Sequence, residues 1–344
     1  MGVAITELLV KKRVDLNTLV GKILVVDTPM WLYQFITSIR QPDGSLLSDS
    51  KGNITSHLIG LSARVPKLMA KGMKLAFCFD GQAPDLKKAE RERRKALKIA
   101  AEKKYQEAEK KKDITEMKKY ASRTARLTKD MIGEAKTLLE AFGLPVIDSP
   151  SEAEAQASII VKNKDAFAVA TNDADALLFG APKVLRNLNL IGKRKKTSKL
   201  AYETIKPELL DLADNLNHLG MDNDQLIALS MLVGTDYNIG GIKGIGPKNA
   251  LKLVKKHKSD FDNLFKEVKW DDSFQFPWTD VFYLIKKMPV TNKYNLKWKN
   301  VDKDKILKLL VDNHDFSEER VNSTISKLLK ETKKKQQKGL GDFF

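Results

Sequence analysis

An α/β fold with a parallel-rich central sheet flanked by helices is predicted for this chain from three observations. Short continuous apolar runs recur at 22–27, 74–80 and 165–173, with the length and density of strands buried on both faces. Helical stretches separate them, so the strands must be joined by crossovers, which are right-handed in such sheets. Each run also closes on an acid, Asp27, Asp80 or Asp173. Ligands of open parallel sheets bind beyond the carboxyl ends of the strands, so these acids should meet at one edge.

The elements follow in order. After the first strand, Thr28-Pro29-Met-Trp predicts a helix that tolerates proline in its first turn. Gln41-Pro-Asp-Gly and Lys51-Gly-Asn frame a surface hairpin or loop, and a helix over 54–71 stops at Gly72. From Pro84 to Gly133 neither glycine nor proline occurs, and Lys, Arg, Glu and Ala dominate, so helix is favoured. Its apolar residues, Leu97, Ile99, Tyr105, Ile114, Met117 and Tyr120, form no heptad or broad stripe, and the segment should project into solvent. It reads either as a solvated charged helix or as a phosphate-contacting arch, the latter favoured by Arg91, Arg93, Arg94, Lys95, Lys98, Lys103 and Lys104. A short strand is expected at 144–147, a helix from Ser151 to about 161, and a further strand at 183–188. The basic run Gly192-Lys-Arg-Lys-Lys suits a solvated loop or a backbone contact. A helix over 224–233 leads into Gly234-Thr-Asp236 and Gly240-Gly-Ile-Lys-Gly244-Ile-Gly246-Pro. The remainder is mostly helical and ends in Lys333-Lys-Lys and Gln337-Lys-Gly-Leu340-Gly-Asp-Phe343-Phe344.

Composition narrows the function. Lys and Arg outnumber Asp and Glu by 61 to 44 over 344 residues, a net charge of +17, which favours a polyanionic partner such as nucleic acid or, as the weaker option, an anionic membrane surface. The sequence shows no apolar run of about 18 residues and no signal-peptide pattern, so an intracellular, soluble protein is expected. The single cysteine, Cys78, lies in an apolar run and suits a buried position, and four scattered histidines give no support to a zinc site or a histidine-based triad.

The chemistry rests on acids. Glu152 and Glu154 lie 21 residues before Asp173 and Asp175. Gathered at the edge that Asp27 and Asp80 reach, they would repel one another unless a cation sat between them. An all-oxygen set favours Mg²⁺, with Mn²⁺ able to substitute, over zinc. Each acid also has an ordinary reading: Asp27 as the N-cap of the following helix, and Ser151 with Glu154 as a capping box. The glycines Gly244 and Gly246, with a helix N-terminus behind them and Lys248 and Lys252 beyond, suit a phosphate backbone or a plain tight turn.

Val25-Val-Asp27, Phe79-Asp80-Gly81, Ser151-Glu-Ala-Glu-Ala, Asp173-Ala-Asp175, Gly234-Thr-Asp236-Tyr and Gly241-Ile-Lys-Gly-Ile-Gly-Pro stand in one order. In this the chain resembles the flap endonucleases of the structure-specific 5′ nuclease superfamily, archaeal in type, nearly from end to end. The resemblance implies a PIN-like nuclease core (1–84, 131–221 and a helical part at 261–330), a helical arch at 85–130, a helix-hairpin-helix element at 222–260 and a flexible tail at 331–344. It implies two Mg²⁺ ions per subunit, one on Asp27, Asp80, Glu152 and Glu154, the other on Asp173, Asp175 and Asp236. Lys87 and Arg94 would contact the scissile phosphate. Tyr33, whose position alone suits the core, would stack on a base, and Gly2 and Gly234 would lie near the DNA. Gln337, Leu340, Phe343 and Phe344 match the family's box for the sliding clamp PCNA. The activity implied is cleavage of 5′ flaps, with 5′–3′ exonuclease action, by a chain monomeric on its own, in Okazaki-fragment maturation and repair. The rivals are a relative acting on bubbles, four-way junctions or RNA, and a non-catalytic clamp-tethered adaptor.

Overall fold

Leu24, Val25 and Val26 are wholly buried, and their side chains divide between two cores, which is why the first apolar run shows no alternation. The computed structural model describes residues 3–190, 192–195 and 202–341. Its strands are β1 (Lys12–Arg13), β2 (Ile23–Asp27), β3 (Lys74–Phe79), β4 (Val146–Asp148), β5 (Ala168–Ala170), β6 (Lys183–Arg186), β7 (Gly192–Lys195), β8 (Tyr202–Ile205) and β9 (Glu208–Asp211). Seven form one sheet in the order β1-β9-β6-β5-β2-β3-β4, with β6, β5, β2, β3 and β4 mutually parallel.

The helices are α1 (Thr28–Ser38), α2 (Ser56–Ala70), α3 (Lys88–Lys110), α4 (Ile114–Ala121), α5 (Lys129–Ala141), α6 (Ala153–Lys162), α7 (Asp175–Leu178), α8 (Leu212–Leu219), α9 (Asn223–Val233), α10 (Pro247–His257), α11 (Phe261–Glu267), α12 (Trp270–Ser273), α13 (Trp278–Lys286), α14 (Lys303–Leu307) and α15 (Glu318–Gly341). One core joins Val25, Ala76, Val169 and Val184 to α6, α9, α10 and α13. The other joins Leu24, Val26, Phe77 and Leu185 to α1, α2, α5 and α15. Cys78 is buried in the first, as expected. No described helix is long and apolar enough to cross a membrane.

The sheet is parallel-rich, as expected, with antiparallel pairing at one side only, where β9 runs antiparallel to β6 and β1 antiparallel to β9; β9 carries only two apolar residues and β1 none, so neither announces itself. Two expectations are corrected. The basic run is not a loop over 192–195, where β7 pairs with β8 in a separate ribbon. The run at 165–173 supplies only three strand residues, because the chain turns after Ala170.

The long helical stretch is broken twice, between α3 and α4 and again over 122–128 before α5. Lys112 takes the left-handed conformation (φ 55°), and the Asp113 side chain caps α4, which folds back along α3. This pair stands over the carboxyl ends of the central strands, with Leu97 and Ile99 exposed.

A tight backbone contact joins the end of β3 to the entry of α6. Gly81 N–H donates to the Ser151 carbonyl (2.7 Å) and Gln82 N–H to that of Pro150 (3.1 Å), while the Ser151 hydroxyl donates to the Gln82 carbonyl (3.0 Å). A Cβ on Gly81 would penetrate the Ser149 carbonyl oxygen, a backbone atom that can yield only if the two segments part. Gly81→Ala is therefore expected to destabilise the chain by about 1–3 kcal/mol, read as a lowered thermal midpoint; an unchanged midpoint would mean that the turn at 149–151 gives way freely.

Candidate active site

The seven acids singled out from the sequence arrive from five separate segments and line a single cleft of about 990 Å³, together with Tyr33, Lys87 and Arg94. Asp27 closes β2 and does two things: its Oδ1 receives the Met30 N–H at 3.5 Å, as an N-cap, while Oδ2 lies 3.1 Å from the Thr171 hydroxyl. Asp80 follows β3 and accepts the Ala153 N–H at 2.8 Å, at the start of α6. Glu152 is the N-cap residue of α6, in extended conformation and without a side-chain cap bond, and Glu154 lies in the first turn. Two glutamates that would diverge on a regular helix can thus share a site. The capping box is absent, since Ser151 bonds elsewhere and Glu154 Oε1 meets Thr171 at 2.9 Å.

Asp173 and Asp175 lie in the turn after β5 and at the start of α7, where Asp175 accepts the Val3 N–H at 2.7 Å. Asp236 comes from the loop after α9 and is held by Arg94 Nη2 at 2.6 Å. Lys87 Nζ reaches Glu152 at 2.5 Å and Asp236 at 3.6 Å. Both cations stand at the foot of the arch, and Arg94 is set by Glu90, which is 3% exposed and also binds Arg93.

Burying so many carboxyls together disfavours their charged forms. Burial, reinforced by the neighbouring Asp80, pushes Asp27 up to about 8. Burial and Asp173 push Asp175 up to about 7. Glu154 is raised well above the usual carboxylate range by burial and by Asp27, and Asp80 is raised by burial. Glu152 is raised as well, because burial outweighs the attraction of Lys87. Burial works against the Lys87 charge, yet the acids around it hold its value up.

Among the described residues no three acidic, histidine or cysteine side chains close on one point as a finished cation cage; Glu152 and Asp236 are turned to Lys87 and Arg94 instead. The donor set nonetheless suits hard divalent ions. It is all oxygen, and its seven carboxyls outnumber the two protein cations that reach them.

The remaining candidates fall in two places. Gly234 (φ 110°) ends α9, where a Cβ would come within 2.6 Å of Gly241 N, and Gly244 (φ 82°) turns the chain toward Gly246, the N-cap of α10. Lys248 and Lys252 lie exposed one helical turn apart on α10. Tyr33 is not a core residue: it is 39% exposed in the cleft wall, with Lys98 Nζ 5.1 Å from its ring centre. Gln337 and Leu340 fall within α15, whereas Gly2, Phe343 and Phe344 lie outside the described residues. Sequence reasoning passed over Thr171 and Glu90. The first was signalled only by a polar residue at the end of a buried strand, the second by its i,i+4 spacing to Arg94.

The XPG N-terminal domain model matches residues 1–101 and the XPG I-region model residues 143–236. Flap endonuclease 1 of Thermococcus onnurineus is 46% identical over 348 residues, covering 100% of this chain and 99% of the relative, and that of Pyrococcus furiosus is 45% identical with the same coverage. Among solved structures, flap endonuclease-1 from Methanococcus jannaschii superposes with a TM-score of 0.75 at 40% identity, over 97% of this chain and 100% of that one. The catalytic core of Rad2 in complex with DNA substrate shares the fold, with a TM-score of 0.68 at 24% identity over 94% and 97%. Identity at this level along the whole length places the chain in the flap endonuclease 1 family.

Proposed function

We propose that this metal-dependent nuclease removes 5′ single-stranded flaps at duplex junctions, and acts as a 5′–3′ exonuclease, by hydrolysis at a two-ion centre. The observation that carries the reading is the gathering of seven acids from five segments beneath two arch cations. Asp27, Asp80, Glu152 and Glu154 would hold one Mg²⁺, and Asp173, Asp175 and Asp236 the other, with Mn²⁺ as a substitute. Two such ions supply an activated water and neutralise charge on the scissile phosphate. Lys87 and Arg94, now paired with Glu152 and Asp236, would turn to the phosphate and offset the negative charge that develops there. Tyr33 would stack on a base beside the cut.

In this reading 85–130 is the arch that admits the free 5′ strand, 1–84, 131–221 and 261–330 make the nuclease core, and 222–260 grips duplex backbone. Backbone N–H groups around Gly234, Gly244 and Gly246, with Lys248 and Lys252, would contact phosphates and so give position without sequence preference. The tail at 331–344 would tether the chain to the clamp PCNA through Gln337, Leu340, Phe343 and Phe344, an apolar plug with a polar anchor. Okazaki-fragment maturation and repair would be its setting.

The direct test is an end-labelled 5′-flap duplex, beside bubble, four-way and RNA substrates, with and without Mg²⁺. Preferred cutting of a substrate other than the flap would shift the assignment to another branch of 5′ nucleases. Asp175→Ala is expected to abolish cleavage while leaving junction affinity largely intact; undiminished hydrolysis would reject the acid cluster as the ion site. Phe343→Ala combined with Phe344→Ala should remove stimulation by the clamp and spare basal cutting, so that an unchanged clamp affinity counts against the tether.

The raised carboxyls give a pH signature. Asp27 and Asp175 keep protons in the folded chain up to about 8 and about 7, but lose them near 3.8 once unfolded, so the folded state holds more protons between these limits. Their contribution to stability is complete below 3.8 and is lost as pH rises through 7 and 8. With a chelator present, the thermal midpoint should therefore carry a component that declines across this window, and added Mg²⁺ should offset it increasingly toward high pH. An Mg²⁺ effect that did not grow with pH would remove these two carboxyls from the ion site.

A further inference from the structure

One hydroxyl group touches three of the acid-bearing segments at once. Thr171 follows β5 and is 1% exposed. Its Oγ1 lies 3.1 Å from Asp27 Oδ2 and 2.9 Å from Glu154 Oε1, and it accepts the Asp173 N–H at 3.2 Å. Asp27 closes a strand, Glu154 opens a helix, and Asp173 begins the turn that leads to Asp175, so three elements with no chain continuity meet at one oxygen. A hydroxyl has one proton and two lone pairs. With the backbone N–H on one lone pair, Thr171 stands between two carboxylates as a spacer of fixed width. The rigidity of its β-branched side chain at the end of a buried strand sets where that spacer sits.

We propose that Thr171 is a positioning residue for cation binding, which sets the separation at which Asp27, Glu154 and Asp173 present their oxygens to a divalent ion. The inference rests on the metal-dependent reading given above. Groups that orient metal ligands in this way typically change metal affinity by about 10–100-fold when they are removed. Thr171→Val keeps the shape and deletes the hydroxyl, whereas Thr171→Ser keeps the hydroxyl and deletes the methyl.

The experiment titrates Mg²⁺ against the thermal midpoint of the whole chain, without DNA, for the unchanged protein, Thr171→Val, Thr171→Ser and Asp27→Asn. The half-saturating Mg²⁺ concentration should rise about 10-fold or more in Thr171→Val and stay within about 3-fold in Thr171→Ser. Flap-DNA affinity measured in chelator should be the same for both threonine variants. If Thr171→Val titrates like the unchanged chain while Asp27→Asn does not, the threonine has no such role and the ion site stands. If the valine and serine variants shift equally, packing rather than the hydroxyl is responsible and the inference falls. If Asp27→Asn is also unshifted, the ion site itself is misplaced and the inference goes with it.

Discussion

The crowding of carboxyls into one cleft is the constraint on which the rest of this structure depends. Seven acids line one cleft, and two protein cations, Lys87 and Arg94, reach them from the base of the arch. Those ion pairs tie the foot of the arch to the sheet edge, beside one apolar contact, Leu86 against the first core. Of the arch's own apolar residues, Leu97 and Ile99 remain exposed, and Ala101 and Ala108 are among the few that are buried. A phosphate entering the cleft would compete with Glu152 and Asp236 for the same two cations, which links substrate entry to the seating of the arch through electrostatics alone.

The scaffold beneath is rigid where the acids attach. The central strands are covered on both faces, and their carboxyl ends are joined laterally by short polar links: Asp80 to the Ala153 N–H, Thr171 to Asp27 and Glu154, and Gly81 to the Ser151 carbonyl. The glycine hairpin between α9 and α10 belongs to the same unit, because Asp236 lies in the loop it shares with Gly234. The glycine hairpin and the acid-lined cleft are thus two ends of one loop, and the position of one sets the position of the other.

The parts of this arrangement that could be read from the sequence are those with a pattern forced by burial. β2 and β3 are legible because strands covered on both faces must be apolar throughout, and α9 because Asp222 with Gln225 forms its capping box before an apolar run. β1 and β7 are not, since a short edge or ribbon strand of basic residues has no alternation to detect, and β9 is not, since it offers only two adjacent leucines. Asp27, Asp80 and Asp173 could be brought together by the strand-end rule, but Asp236 could not, because it follows a helix; only resemblance to a family placed it. Tyr33 misled for a related reason. An aromatic on an apolar helix looks like core unless the cleft beside it is known.

The register of the two central strands has a consequence for how such a chain can change length. Asp27 pairs with Cys78, and Asp80 lies two positions further on. Because side chains alternate along a strand, inserting or deleting a single residue within β3 would swap the faces of everything beyond it, and would exchange the side chains of one core for those of the other. Variation in size is thereby confined to the segments between strands, such as 41–53, the top of the arch near Lys112, and the β7–β8 ribbon. Homologues of different length should differ there, like buildings that add rooms along a corridor whose bearing walls stay where they are.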